Sequence, residues 1–209
     1  MAMNLLDKIT DKLIVNGAIR AEERELYEYG LQQGLLIIAN MLTTIAIGFL
    51  FKMVWQSILF MIVYIPLRSF AGGYHAKTQS RCYFFSILLT TSVLLAIKLI
   101  PRTNFNIIGL ALIAGIIIYV LAPVEDANKP LDETETAVYK KRARVILAVE
   151  LCTMLLMMGL GLSGVSLCIS ISMFALSIML VIGKVKTVKS PLLIKLSLGF
   201  LSELHTKLG

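Results

Sequence analysis

Six long apolar runs, separated by shorter charged segments, constrain the fold of this chain more than any other feature. A helix needs about 20 apolar residues to cross a bilayer core of about 30 Å. Only 16% of the residues are charged, against about 25% in soluble domains, and the mean hydropathy is +0.83. The sequence therefore predicts an all-α, polytopic membrane protein, one domain over 1–209, with about six transmembrane helices. The runs cover 31–51, 53–67, 83–100, 105–122, 145–163 and 166–183.

The second run is the weakest of these candidate spans. It is short, it contains Gln56 and Ser57, and Pro66 lies near its end. Because proline removes a helical hydrogen bond, Pro66 predicts a kink or an early exit from the membrane. We therefore expect 53–67 to cross the bilayer as a short helix or to re-enter on the same side.

Both ends of the chain have the pattern of helices that lie on a membrane surface. Residues 3–15 place apolar side chains on one helical face and charges on the other, and Asn16-Gly17 follows as a stop signal. An interfacial anchor is the first interpretation of this helix, and a helix that grips a substrate is the second. The region 1–29 ends in the charged first part of a membrane-entering helix. In the tail, 184–209, Ser190 as N-cap before Pro191 predicts a second interfacial helix.

Basic residues are distributed unequally between the two sides of the predicted bundle. If the N-terminus is inside, the outer segments hold only Lys52, Lys98 and Arg102 of the 20 lysines and arginines. The positive-inside rule then predicts that both termini and the polar segment 68–82 are cytoplasmic. The net charge of +7 does not predict nucleic-acid binding, because the basic residues flank apolar runs and are not interleaved with stacking aromatics.

The polar segment 68–82 is the candidate for chemistry. It contains His75 and Cys82, seven residues apart, which could act as general base and nucleophile. We expect Cys82 immediately before a helix starting near Tyr83, where the helix N-terminus and Arg81 would stabilise a thiolate. In an unbroken helix the pair would be about 10 Å apart along the axis, too far for a hydrogen bond. A functional pair therefore predicts a break within 70–80, which Gly72-Gly73 would permit.

Less reactive interpretations exist for each of these residues. Cys82 could be an inert cysteine at a helix start, and His75 a solvated loop residue. Arg68 could be a snorkelling anchor or a clamp for a substrate carboxylate. Glu150, inside the fifth span, could form an ion pair with Arg68 or Arg144, or help to orient His75.

Other kinds of site are weakly supported by the sequence. Cys152 and Cys168 lie within apolar runs, where cysteine usually packs as a small hydrophobe, and the three cysteines suggest no disulfide framework. One cysteine and one histidine fall short of the three or four ligands that zinc needs. We therefore predict neither a metal nor a cofactor.

The polar segment resembles that of the AgrB-like membrane endopeptidases of Gram-positive quorum sensing. The resemblance depends on Arg68, the sequence Gly72-Gly73-x-His75-Ala76 and the spacing to Cys82. The segment 122–131 also looks like the second polar loop of that family. Size and multiple spans agree along essentially the whole chain.

This resemblance implies a cysteine peptidase of the bacterial cell membrane, with His75 as base and Cys82 as nucleophile. Its implied substrate is an AgrD-like propeptide with an amphipathic leader and an acidic tail. Cleavage would leave the peptide on Cys82 as a thioester, which an internal cysteine or serine attacks to close a ring. Arg68 and Gly73 match family positions regarded as needed for activity, and the family also implies a homodimer.

The remaining catalytic details and the competing functions stay open from sequence alone. A His75–Cys82 dyad is the default, although Gln79, Glu150 or an acid at 125–126 could orient His75. The alternatives from other classes are a small transporter or exporter, and a non-catalytic membrane adaptor or redox sensor that uses Cys82.

Overall fold

The computed structural model describes residues 2–16, 19–74, 78–124 and 132–208, and within these ranges the chain is almost entirely helical. An isolated parallel bridge between Gly72 and Val124 is present, and no strand occurs in the ranges described. The all-α prediction is confirmed. The helices are α1 Ala2–Val15, α2 Arg24–Leu50, α3 Val54–Ala71, α4 Gln79–Leu99, α5 Asn104–Leu121, α6 Glu133–Gly159 and α7 Ser163–Leu208, with a 3₁₀ turn at Ala21–Glu23 before α2.

Among the described residues, five helices have the length and apolar character needed to cross a membrane, which confirms a multi-pass architecture. They are α2, α3, α4, α5 and the first part of α7, over Ser163–Lys186. The predicted span 145–163 differs, because it forms the second half of a helix whose first half is charged. Its apolar part, 145–159, is shorter than the about 20 residues that a full crossing needs.

Helix α7 is the central helix of the bundle: α3, α4, α5 and α6 pack against it, while α2 packs on α3 and α4. Its buried side chains include Leu167, Met173 and Leu176, each fully inaccessible to solvent. Helix α5 packs against α7 more extensively than any other helix does. The small residues Ala111 and Ala114 of α5 are buried along its inner face, and small residues allow two membrane helices to approach closely.

Three of the serines buried in α7 bond to its own backbone. The hydroxyls of Ser170, Ser172 and Ser177 donate to carbonyl oxygens three or four residues earlier, at 2.7–3.0 Å. Such local bonds satisfy hydroxyl groups where water is excluded. The core of the bundle therefore tolerates these serines without a partner helix.

Helix ends follow the local capping residues, and two predicted boundaries are corrected. Pro66 does not end α3 early, because the helix continues past it to Ala71. The tail does not start a separate helix at Ser190, because the backbone of α7 stays helical through Pro191 to Leu208. A proline removes one N–H donor and bends a helix, but neighbouring helix-forming residues can continue the helix beyond it.

The predicted amphipathic helix over 3–15 is confirmed as α1, which packs against α2. Arg24 at the start of α2 pairs with Asp11 at 3.2 Å and with Glu28 at 2.8 Å, and Thr10 is fully buried. Asn16 follows as a turn, while Gly17 lies outside the described residues. The charged segment that precedes the membrane run begins as the 3₁₀ turn and continues into α2.

The connections between helices lie at two opposite ends of the bundle. At one end, which we call the turn end, short connections at 51–53, 100–103 and 160–162 join consecutive helices. At the other, which we call the site end, are the connections 72–78 and 122–132. The bridge between Gly72 and Val124 brings the described starts of these two connections, 72–74 and 122–124, side by side.

Candidate active site

The last turn of α3 is folded onto the segment that follows it by the side chain of Arg68. Its guanidinium, half-buried, donates hydrogen bonds to the backbone carbonyl oxygens of Gly72 and Tyr74. A planar guanidinium can hold two acceptors in fixed positions, which a lysine ammonium cannot do. The structure thus gives Arg68 a role absent from both sequence interpretations: it holds the backbone that leads to His75.

Gly72 and Gly73 are required here by both conformation and space. Their φ angles are +72° and +122°, in the region that side-chain-bearing residues rarely adopt. A Cβ on Gly72 would collide with the carbonyl oxygen of Val124, and one on Gly73 would collide with the Arg68 guanidinium. The two positions therefore require glycine because a side chain would not fit, and not only because the backbone must be flexible.

Backbone hydrogen bonds fix the same segment to two other parts of the chain. Val124 N–H donates to the Ala71 carbonyl at 2.9 Å, and Gly73 N–H donates to Val124 at 3.4 Å. Tyr74 N–H donates to the Met179 carbonyl of α7 at 3.1 Å. The segment 71–74 is therefore held between the second polar connection and the central helix.

Gly183 allows that close approach to α7. A Cβ at this position would lie 2.7 Å from the Tyr74 nitrogen and 2.8 Å from the Gly73 carbonyl carbon. Such distances are shorter than any ordinary van der Waals contact, so a larger residue would push the segment away. Sequence reasoning missed Gly183 and Met179, because their only signal is a contact between residues more than 100 positions apart.

The side chain of Tyr74 ties this segment to α4. Its ring makes an edge-on contact with Phe85, with 5.2 Å between ring centroids, and Lys186 of α7 lies over it at 4.9 Å. Phe85 is three residues after Cys82, and residues at this spacing share a helix face. The residue immediately before His75 thus packs on the face of α4 that carries Cys82.

Cys82 is exposed and lies in the first turn of α4. The helix begins at Gln79 and not near Tyr83, because Thr78 acts as its N-cap and accepts from Arg81 N–H at 3.4 Å. The Cys82 N–H already donates to the Thr78 carbonyl at 3.0 Å. Cys82 therefore stays within the positive end of the helix, one turn further in than predicted.

The expected break between His75 and Cys82 is confirmed by the ends of the flanking helices. Helix α3 ends at Ala71, and α4 begins at Gln79. His75 itself, with 76–77 and the side chain of Gln79, lies outside the described residues. Arg81 is exposed, next to Cys82.

Tyr64 is a neighbour of the site that sequence reasoning missed. It is half-buried, its ring packs against Phe60 at 5.0 Å, and its phenol lies within electrostatic range of both Arg68 and Cys82. Its spacing of four residues from Arg68 places both on one face of α3. That spacing is the signal that could have identified it.

Glu150 is buried, and its predicted ion pairs are not formed. It lies on the inner face of α6 and is 8% exposed. Its Oε2 atom has no hydrogen-bond partner among the described residues, and neither Arg68 nor Arg144 lies within ion-pair distance of it. Arg68 bonds to the loop instead, and Arg144 stacks on Tyr119.

The other two cysteines have different surroundings from Cys82. Cys168 is fully buried in α7, with its sulfur 3.7 Å from the Gln56 carbonyl oxygen, whereas Cys152 is exposed on the apolar half of α6. All three are free thiols. In the described ranges, no three His, Cys, Asp or Glu side chains lie close enough together to share a metal ion.

Fold and site together define a class of protein. It is a multi-pass, all-helical membrane protein in which an exposed thiol lies near a polar segment, 71–74, that is held by hydrogen bonds. Residues 6–180 match the family model described as Accessory gene regulator B, and the chain belongs to this AgrB family. Membership associates it with processing of quorum-sensing peptides in the accessory gene regulator system, with peptidase activity in general, and with an AgrD-like propeptide partner.

Curated relatives agree with the family match. An AgrB-like protein of Clostridium perfringens strain SM101 is 26% identical over 181 residues, covering 78% of this chain and 82% of its own length. AgrB-like protein 2 of Clostridium perfringens strain 13 is 23% identical over 154 residues, covering 69% of each chain. No solved structure shows significant similarity to the chain.

Proposed function

We propose that this protein is a membrane-embedded cysteine endopeptidase that removes the C-terminal tail of an AgrD-like propeptide and promotes its cyclisation. Cys82 is the nucleophile, and His75 is the general base. Arg68, Gly72 and Gly73 position the segment that carries His75, and Arg81 lies next to Cys82 in the first turn of α4. Gln79 and Glu150 are proposed as supporting residues.

One observation carries this proposal: the chain holds Tyr74 against the Cys82 face of α4. The Arg68 hydrogen bonds, the bond to Met179 and the Tyr74–Phe85 ring contact together fix the residue next to His75. General base catalysis needs the base and the thiol within hydrogen-bond reach. Tyr74, the residue before His75, is fixed in place. The exposed sulfur of Cys82 lies on the face of α4 that Tyr74 contacts, and this arrangement favours contact between base and thiol.

The first chemical step transfers an acyl group to sulfur. His75 takes the proton of Cys82, and the thiolate attacks the carbonyl carbon of the scissile peptide bond. The C–N bond then breaks, and His75 gives the proton to the departing amine of the tail. The tail leaves as a free peptide, and the remainder is held on Cys82 as a thioester.

The second step closes the ring. A thiol or hydroxyl of the bound peptide loses its proton to His75 and attacks the thioester carbonyl. The carbon–sulfur bond to Cys82 breaks, and its thiolate regains the proton, so the enzyme is restored. A thioester retains much of the energy that ring closure needs if water is excluded, as it would be at a membrane edge.

The proposed setting is the inner surface of the cell membrane of a Gram-positive bacterium. Both termini and the site end would be cytoplasmic, according to the charge distribution. The propeptide leader would lie on the same leaflet, and the basic inner surface would attract its acidic tail. We also propose a homodimer as the functional assembly.

Coexpression with the propeptide tests this function. We expect Cys82→Ala and His75→Ala to leave the propeptide uncut in membranes, with a loss of at least about 1,000-fold. Cys152→Ala and Cys168→Ala are matched controls, since each removes a thiol elsewhere and should retain processing. Tail cleavage by Cys82→Ala at the normal rate would overturn the proposal.

A further inference from the structure

An open groove runs along one face of α6 at the boundary between its charged and apolar halves. Its volume is about 500 Å³. The described lining comes from a single helix, at spacings of three, four, seven and eight residues that define one stripe. The lining residues are Ala137, Lys140, Lys141, Arg144, Val145 and Ala148.

The groove is basic at one end and apolar at the other. Lys140 and Lys141 are exposed, Arg144 follows one turn later, and Val145 is 55% exposed. In a protein that crosses a bilayer, this order places the charges at headgroup depth and Val145 with Ala148 towards the acyl chains. The stripe therefore matches the two chemical halves of a phospholipid.

Arg144 has donors available for a ligand. Its guanidinium carbon stacks 4.1 Å above the ring of Tyr119, a half-exposed residue in the last turns of α5. Stacking uses the face of the guanidinium and leaves its in-plane N–H groups to bond. The Nε atom is buried, and the described residues offer it no acceptor. Because Arg144 as a whole is only half-buried, a phosphate group could accept hydrogen bonds from the guanidinium N–H groups that reach the surface.

We propose that this groove binds the phosphate of an anionic phospholipid. Arg144 donates to the phosphate oxygens, Lys140 and Lys141 add positive charge, and an acyl chain lies along Val145 and Ala148. A free phosphate compound could occupy the basic end, but it would leave the apolar end uncovered. This site is separate from the proposed Cys82 chemistry and does not depend on it.

Purified full-length protein in an uncharged detergent tests the proposal. Phosphatidylglycerol and phosphatidylcholine are titrated, with thermal unfolding and native mass spectrometry as the two measurements. We expect phosphatidylglycerol to be retained as an adduct and to raise Tm, and phosphatidylcholine to do neither. Arg144→Gln should weaken the apparent affinity about tenfold, and each of Lys140→Gln and Lys141→Gln about fivefold.

Arg142→Gln is the matched control. It removes the same charge from the same helix, but Arg142 faces away from the groove and stacks over Phe70 at 5.3 Å. Its phosphatidylglycerol affinity should remain within about twofold of wild type. If Arg144→Gln does not fold, the two exposed lysine variants give the same test.

Three outcomes would overturn the lipid assignment. Equal stabilisation by glycerol phosphate, which has no acyl chain, would assign the groove to free phosphate. Equal stabilisation by a soluble acidic peptide would assign it to a peptide ligand. An unchanged lipid response in Arg144→Gln and in both lysine variants would mean that the groove does not bind phospholipid.

Discussion

The chain reverses direction at both ends of the helical bundle, but the backbone hydrogen bonds that hold the connections differ between the two ends. At the turn end, backbone hydrogen bonds stay local: Lys52 N–H donates to Phe49 and Gly161 N–H to Met158, each about 3 Å away. At the site end, they reach across the fold, from Tyr74 to Met179 and between Val124 and Ala71.

The difference shows where the chain holds non-helical backbone in place. Unpaired backbone groups are costly where water is scarce, so a non-helical segment inside a membrane protein needs partners from its neighbours. The segment 71–74 obtains them from α7, from Val124 and from Arg68. The turn end needs only to reverse direction, whereas the site end holds one backbone segment in a defined place.

Replacing a glycine at each end should give the largest difference in propeptide cleavage. Gly73→Ala would place a Cβ against Arg68 at a φ of +122°, so we expect at least a 100-fold loss of propeptide cleavage, as about 1 Å of misplacement can produce. Gly161→Ala, at φ +78° with nothing within 4 Å, should cost only about 1–2 kcal/mol of stability and retain cleavage. Cleavage assays and thermal unfolding check both, and similar losses in the two variants would contradict the comparison.

Substitution of one arginine at each end should give a second, smaller difference in cleavage. Arg68→Lys keeps the charge but cannot hold the carbonyls of Gly72 and Tyr74 together, so cleavage should fall by about 10- to 100-fold. Insertion into the membrane should be normal. Arg102→Lys, an exposed residue of the turn end, should cleave at the wild-type rate. Normal cleavage by Arg68→Lys would show that holding the loop is not needed.

Substitution of the α7 glycine should have an intermediate effect. Gly183→Ala would push against the Tyr74 nitrogen, and overpacking of this kind costs about 1–3 kcal/mol. We expect about a fivefold to tenfold loss of cleavage. Gly115→Ala of α5 is the control, since its Cβ would meet only Leu151, at 3.8 Å. If the control loses as much activity as Gly183→Ala, the contact with Tyr74 is not the cause.

The smallest expected effect concerns the Tyr64 phenol. Tyr64→Phe removes a dipole near Cys82 and leaves the ring packed on Phe60. The rate of Cys82 alkylation at neutral pH should fall about threefold, as loss of one modest polar interaction allows. Labelling of exposed Cys152 provides the internal reference. No change in the ratio of the two rates would exclude Tyr64 from the thiol's environment.

Much of the architecture could be predicted from the sequence, because apolar runs of membrane length leave few alternatives. The break between His75 and Cys82 followed from Gly72-Gly73 and from the reach of a helix. The start of α4 differs from the prediction near Tyr83. Thr78 caps the helix, so it begins at Gln79. The apolar run 145–163 does not show that its helix begins at Glu133 with a charged half, which leaves only 145–159 as the apolar part.

The contacts that fix the site segment could not be predicted. Met179 and Gly183 look like ordinary residues of an apolar helix, and Val124 like part of a polar loop. Their role appears only when the packing of α3, α5 and α7 brings three distant segments together. The ion pairs proposed for Glu150 failed for the same reason, because sequence does not say which way Arg68 and Arg144 turn.

The proposed mechanism depends most on a covalent bond between the propeptide and the Cys82 sulfur. Purified protein mixed with its propeptide and quenched in acid should yield, by mass spectrometry, a Cys82 peptide carrying the propeptide without its tail. The adduct should be released by hydroxylamine, as a thioester is. Tail release at full rate with Cys82 unmodified throughout the reaction would contradict the account.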